Sequence, residues 1–277
     1  MCRVLQVSKS GYYSWIRRPL SRTTATNARL VDEIRLAHEE NRKAYGSPRI
    51  YIVLRNKGIL CGHNRIARLM RLNSIVAQRQ FRRKRQNITS HGRSLVQNLV
   101  NRNFHVLTPN RIWASDITVL WSGSGWLYLA VVMDLYSRRV IGWAMQKRMT
   151  GDLTINALRM AVDQRRPKGE LIHHSDQGSQ YSSDSFKQEL LQHSITPSMS
   201  RKGNCYDNAV VESFFKTLKA EIAKADRSKT REETRSRIFE YNEVFYNRKR
   251  LHSTLGYKSP VEYERIGLTE LGVHKNR

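Results

Sequence analysis

The chain is poor in the residues that staple or anchor small proteins. Its three cysteines, Cys2, Cys61 and Cys205, lie far apart and form no CxxC pair, which leaves no basis for a disulfide framework or a zinc ribbon. The nine histidines show no zinc-finger spacing with them. No apolar run approaches the roughly 18 residues of a membrane span, and the opening MCRVLQVSKS lacks the apolar core of a signal peptide. Low-complexity tracts are absent. These absences predict a cytoplasmic chain in a reducing compartment, with no membrane partner.

Acidic residues are also scarce. There are 23 Asp+Glu against 49 Lys+Arg, a formal net charge of +26. The imbalance is uneven: residues 1–103 hold 22 basic and 4 acidic side chains, and the remainder 27 and 19. A strongly basic part joined to a more balanced part points to a polyanion, most simply nucleic acid, over a ribosomal protein, an anionic membrane surface or plain solubility. At 277 residues and 39% apolar content the chain can bury a sizeable core.

Residues 27–76 read as helices. Asn27 is the expected cap of a helix to about Asn41, AYGSPRI marks a turn, and a second helix covers Arg49 to Lys57 until Gly58 ends it. A third, from about His63, turns Ile66, Leu69 and Met70 inward and Arg65, Arg68 and Arg71 outward. Two short helices broken by a glycine, the second basic, fit a helix-turn-helix, ahead of the alternative of a small bundle with a solvated basic face. The stretch QRQFRRKRQ follows, with Arg79, Arg82, Arg83, Lys84 and Arg85 among nine residues. Such a run repels itself until it meets a polyanion, so it reads as a linker that can also track DNA.

From Asn110 the texture changes. RIWASDITVLW, WLYLAVVMDL and RVIGWAM read as three strands joined by short turns, hence an antiparallel meander. TGDLTINALRMAVDQRR is an amphipathic helix, GELIHHSDQG a strand, SSDSFKQELLQHS a helix, ITPSMS a short strand and NCYDNAVVESFFKTLKAEI a third helix. A long helical tail from Thr230 to about His252 completes the pattern. Three strands, helix, strand, helix, strand, helix is the α/β order of a ribonuclease-H-like, five-stranded mixed sheet flanked by helices.

Three acids stand out within it. Asp116 interrupts an apolar strand, a costly place for a carboxylate without a partner or a metal. Asp176 ends the fourth strand pattern. Glu212 sits on a helix beside Val211, Phe214 and Phe215, with 35 residues between it and Asp176. Phosphodiester cleavage needs an activated nucleophile and stabilisation of charge on phosphorus oxygens and on the leaving oxygen, which two Mg²⁺ ions held by a few carboxylates supply. Singly, each acid also reads as a buried hydrogen bond, an Asx-turn or an i,i+4 pair with Lys216. Asp207 and Glu221 are rivals on Glu212's helix, but at 100° per residue they point about 140° and 180° away, so changes at Glu221 are expected to be nearly silent. His173 and His174 neighbour each other on a strand and face opposite ways, so they form no triad with Ser175 and Asp176, although either could line the site. Asp134 reads as a turn cap.

CRVLQVSKSGYYSW, YGSPRI, WASDIT, WLYLAVVMDLYSRRVIGW, HHSDQGSQYSS, NCYDNAVVESFFKTLKAE and RLHSTLGYKSPVEYE span nearly the whole chain. Together they resemble the catalytic, second-reading-frame subunit of a bacterial insertion-sequence transposase family related to retroviral integrases. The resemblance implies an integrase catalytic core with a DDE triad at Asp116, Asp176 and Glu212. It further implies Mg²⁺ (Mn²⁺ as substitute) as cofactor, DNA cleavage by water, and strand transfer by a 3′-hydroxyl. Lys216 and Lys219 resemble the lysines that retroviral integrases place against DNA. The family commonly has Thr or Gly where this chain has Ser115.

The implied partners are element-end and target DNA, further copies of the chain in a DNA complex, and an upstream-frame protein carrying a helix-turn-helix and zipper. The implied setting is the bacterial nucleoid. Expected domains are a helix-turn-helix-like DNA-binding region at 1–77, a basic linker at 78–108, the catalytic domain at 109–265 and a tail at 266–277. A DNA-binding protein without catalysis, or a nuclease that cuts without joining, are the competing readings. Intact acids argue against the first, and a strand-transfer assay separates the second.

Overall fold

A computed structural model describes residues 2–19, 21–77, 96–201, 207–222 and 230–270. The chain divides into two compact units, residues 1–78 and 79–277.

The first unit is helical: α1 (Lys9–Arg17), α2 (Arg22–Glu40), α3 (Ser47–Asn56) and α4 (His63–Leu72). The helix expected from Asn27 starts earlier, because Ser21 holds an extended backbone and its hydroxyl accepts the Thr24 N–H at 3.1 Å. Helix α1 buries no side chain; it falls within the stretch expected to be helical, ahead of the first helix located from the sequence. The core follows the periodicity: Leu30, Ile34 and Ala37 of α2 meet Ile50 and Leu54 of α3 and Ile66, Leu69 and Met70 of α4. Gly58 closes α3 at φ +79°, a left-handed conformation that glycine adopts without a Cβ penalty, while the Ile59 N–H reaches the Leu54 carbonyl at 2.9 Å.

The second unit is built on one five-stranded sheet. Strands β1 (Ile112–Ser122), β2 (Gly125–Asp134) and β3 (Arg139–Gln146) form the expected antiparallel meander. β4 (Leu171–Ser175) adds parallel to β1, and β5 (Ile195–Met199) parallel to β4, giving the order β3-β2-β1-β4-β5. This mixed five-stranded sheet is the ribonuclease-H-like architecture expected from the sequence.

Alternation along β1 assigns its two faces. Ala114 and Leu120 belong to a core with α8 (Ala209–Ile222), α9 (Arg231–Phe239) and the π-helical turns Glu240–Tyr246. Trp113 and Ile117 belong to a core with α5 (Gly151–Arg165), α6 (Ser179–Ser182) and α7 (Asp184–Gln192). β2 is buried on both faces, as its near-continuous apolar run requires. At Gly142 of β3 an added Cβ would run into the Ala157 carbonyl, so α5 lies on bare backbone there. The helix expected as one piece from Thr230 starts with a capping box on Thr230 and Glu233, but widens into π turns at Glu240. α10 (Pro260–Glu270) follows.

The stretch from Val96 was expected as linker, yet it packs on this unit. Val100 is buried, the Leu99 N–H donates to Ser198 Oγ at 2.9 Å, and the Met199 N–H to the Gln97 carbonyl at 3.2 Å.

Candidate active site

Parallel pairing of β1 with β4 sets the site. Ile112 pairs with Ile172, Trp113 with His173 and Ala114 with His174. Two steps further along both strands bring Asp116 level with Asp176, just beyond the carboxyl end of β4, the place where open α/β sheets gather functional groups. Asp116 lies on the β1 face that α8 covers. Glu212 is in the first turn of α8, whose Val211, Phe214, Phe215 and Leu218 are buried against that face. Glu212 and Asp116 are half-buried, and Asp176 keeps an exposed edge.

The electrostatics tie the three acids together. Burial first, then the charge of Asp176 and more weakly that of Glu212, push the Asp116 carboxyl up to about 8, although the Ile117 N–H donates to it at 2.7 Å and Lys219 pulls the other way. Burial also raises Asp176 despite the Gly178 N–H at 3.0 Å, because protein surrounds its carboxyl even where the residue meets solvent. Asp116 and Asp176, held where they resist ionisation, are oxygen donors suited to a hard divalent cation. Among the described residues no three His, Cys, Asp or Glu side chains converge closely enough to make a metal cage. Mg²⁺ keeps several of its waters when bound, so a few carboxylates suffice to hold it without such a cage.

The surroundings hold these acids in place. Asn208, just before α8, donates to the Ser115 carbonyl at 2.9 Å. Ser115 Oγ shares a hydrogen bond with His173 Nε2 at 2.7 Å. His173 is fully buried, and burial, with His174 beside it, lowers its pKa to about 3, so it is a neutral brace. His174 Nε2 donates to the Asp207 carbonyl at 3.0 Å, which leaves Nδ1 to accept from Ser198 Oγ at 2.9 Å. Both histidines, expected as possible lining groups, are structural.

The rival acids are accounted for. Asp207 is clasped by Arg201 Nε and Nη2 at 3.0 and 3.1 Å, the Arg201 N–H at 3.0 Å, Arg102 Nε at 3.1 Å and Asn98 Nδ2 at 2.8 Å. Sequence reading missed Asn98, Arg102 and Arg201, and their separation from Asp207 leaves no local signal for the first two. Glu221 points away from the site as expected, but it is not a bland position. Tyr241 Oη donates to it at 2.9 Å, and Arg250 Nε and Nη2 donate at 3.2 and 3.0 Å, with both charged side chains buried. Asp134 is the expected turn cap, accepting the Tyr136 and Asn110 N–H groups at 2.9 Å each, with Arg165 at 3.6 Å.

Of the residues expected to touch DNA, Lys216 and Lys219 are exposed on α8, and Lys219 is near enough to bias Asp116. In the first unit Arg68 and Arg71 are exposed on α4, whereas Arg65 Nε is taken by Asn27 Oδ1 at 2.9 Å and braces α4 to α2. Arg79, Arg82, Arg83, Lys84 and Arg85 lie outside the described residues. Among the described residues no helix is long and apolar enough to cross a membrane.

Comparison with known proteins agrees with this architecture. An integrase core domain family matches residues 107–205, a second integrase core domain family matches 212–268, and an HTH-like domain family matches 26–85. The insertion element IS600 uncharacterized 31 kDa protein of Shigella sonnei is 41% identical over 95% of this chain and 97% of its own length. Transposase InsF for insertion sequence IS3A of Escherichia coli (strain K12) is 40% identical over 97% and 94%. The simian T-cell lymphotropic virus intasome in complex with PP2A regulatory subunit B56 gamma is a looser likeness, at 17% identity and a TM-score of 0.49 over 84% of this chain and 74% of that one. Near full-length identity at this level, over an integrase core preceded in sequence by an HTH-like domain, places the chain in the family of InsF-type insertion-sequence transposases.

Proposed function

We propose that this transposase cuts DNA at the ends of an insertion sequence and joins the freed 3′-hydroxyl to target DNA, with Asp116, Asp176 and Glu212 as its catalytic acids. The observation that carries the assignment is the register of β1 with β4, which sets Asp116 level with Asp176 while α8 lays its first turn, with Glu212, over the same face. In the first reaction water attacks a phosphodiester at the element end and the 3′-oxygen leaves. In the second that 3′-hydroxyl attacks a target phosphodiester, one P–O bond forming as another breaks.

Mg²⁺, or Mn²⁺ in its place, bound by the acids would polarise the phosphate and stabilise the entering and leaving oxygens. The protein's own part is to hold the carboxylates in a half-buried site, bolt α8 to β1 through Asn208, and present Lys216 and Lys219 to the DNA backbone. Arg68 and Arg71 of α4, with Arg79, Arg82, Arg83, Lys84 and Arg85, add phosphate contacts in this reading. Residues 1–77 are the DNA-binding region, 78–108 a basic connection whose later part docks on the core, 109–265 the catalytic domain and 266–277 the tail, of which the residues to Glu270 still belong to α10. The enzyme works as several copies on DNA in the bacterial nucleoid, with an upstream-frame protein supplying further sequence recognition.

The test is incubation of the full chain with labelled element ends and Mg²⁺, scoring cleavage and joining separately. Cleavage with no joining would reduce the enzyme to a nuclease. Full activity in excess chelator would remove the metal.

A further inference from the structure

Tyr181 stands out among the buried polar groups. It is 3% exposed, with its ring edge-on to Phe186 at 5.3 Å and tilted against His173 at 6.0 Å. The ring is thus a core residue, and phenylalanine would fill the same space. The hydroxyl is different: it is buried and has no hydrogen-bond partner among the described residues. A buried donor left unmade destabilises the fold, so its retention calls for a reason.

The neighbourhood supplies one. The Gly178 N–H donates to Asp176 Oδ1 at 3.0 Å, and the Gly178 carbonyl in turn accepts the Tyr181 N–H at 3.0 Å. Asp176, Gly178 and Tyr181 are therefore one hydrogen-bonded turn. The other oxygen of Asp176 accepts nothing from the described residues. Burial above all, and then the charges of Asp116 and Asp176, hold the proton on Tyr181 far above its ordinary range, so the hydroxyl keeps a proton to donate.

Resting on the acid assignment above, we propose that Tyr181 is a positioning residue: its hydroxyl donates to the unengaged oxygen of Asp176 when the site is loaded, fixing which lone pairs that acid turns toward the metal and the DNA phosphate. The Gly178 N–H and the Tyr181 hydroxyl then hold the carboxylate from its two oxygens, as outer hydrogen bonds orient metal ligands elsewhere.

The experiment compares the full-length parent, Tyr181→Phe and Asp176→Asn. Each is melted in chelator, titrated with Mn²⁺ by calorimetry, and assayed for joining of labelled element ends. Tyr181→Phe is expected to melt no lower than the parent, since it deletes an unmade donor. It should nevertheless bind Mn²⁺ and join ends about tenfold or more less well, the usual cost of losing a group that orients a ligand. A purely structural hydroxyl would move neither the Mn²⁺ affinity nor the rate. Parental Mn²⁺ affinity and joining in Tyr181→Phe, with Asp176→Asn inactive, overturns the role of Tyr181 and leaves the acid assignment standing. A marked drop in melting temperature for Tyr181→Phe also overturns it, by showing a structural partner for the hydroxyl. Parental Mn²⁺ affinity and joining in Asp176→Asn sinks the acid assignment and this inference together.

Discussion

Asn208 donates its side-chain N–H to the backbone carbonyl of Ser115 at 2.9 Å. One hydrogen bond thus fastens the start of α8 to β1 directly beside Asp116, and Glu212 follows one helical turn later. Asn208→Ala should leave that carbonyl unpaired in a buried place and lower stability by about 1–3 kcal/mol. Joining should fall further than stability explains, because α8 can then shift against β1. Denaturant melts and joining rates measured together decide the matter, and unchanged joining in a destabilised variant would refute the link.

Asp116→Asn should keep the fold and abolish cleavage and joining. It should also be more stable than the parent in chelator at pH 8–9. The Asp116 carboxyl is pushed up to about 8 when folded, against an ordinary 3.8. The parent therefore loses stability as pH rises from the lower value to the higher. Asparagine cannot ionise and escapes that loss. Melting temperatures with chelator and with Mg²⁺ at pH 6 and 9 are the check: the cation should raise the parent most at pH 9 and leave the variant unmoved.

Glu212→Gln should abolish both reactions in a folded protein. Glu221→Gln should do the reverse, sparing metal dependence but costing about 3 kcal/mol, since it strips a buried Arg250 of its counter-charge. An active Glu212→Gln would mean that the register of α8 has been assigned to the wrong acid.

Asp207→Asn should destabilise by about 2 kcal/mol at neutral pH, less than a fully buried pair because Arg102 and Arg201 are half in solvent. Arg201 first, then its N–H and Arg102, hold the Asp207 carboxyl far below the usual carboxylate range, against the pull of burial. Its contribution is complete above about pH 4–5 and is lost as pH falls through the folded value. Parent and variant should therefore converge in stability toward pH 2, and a difference independent of pH would argue against the clasp.

Replacing Arg82, Arg83, Lys84 and Arg85 by Gln should lower the slope of log affinity for duplex DNA against log salt, by up to about 0.9 for each phosphate that the protein no longer neutralises. An unchanged slope would mean that the cluster serves solubility alone.

Much of this is legible in the amino-acid pattern alone. The five strands, the helices between them and the inward face of α8 follow from apolar runs and 3.6-residue periodicity, signals local to each segment. The buried neighbours Val211, Phe214 and Phe215 set the direction of Glu212 for the same reason. What escapes depends on distant partners. Nothing around Asp207 announces Asn98 or Arg102, more than a hundred residues earlier. Nothing around Glu221 announces Arg250 or Tyr241. Asn27 looks like a helix cap because Asn favours caps, yet Ser21 already holds that place and Asn27 is left to bind Arg65. Tyr181 reads as one letter of a motif; only its buried, unmatched hydroxyl separates it from phenylalanine.

The strand order also governs how the protein emerges from the ribosome. The β1-β2-β3 hairpins are complete once residue 146 is made, but β1 is central in the finished sheet and its other edge stays open until β4 arrives at Leu171. An uncovered strand edge flanked by apolar faces recruits other chains. Translation products that end between residues 146 and 171 should therefore aggregate.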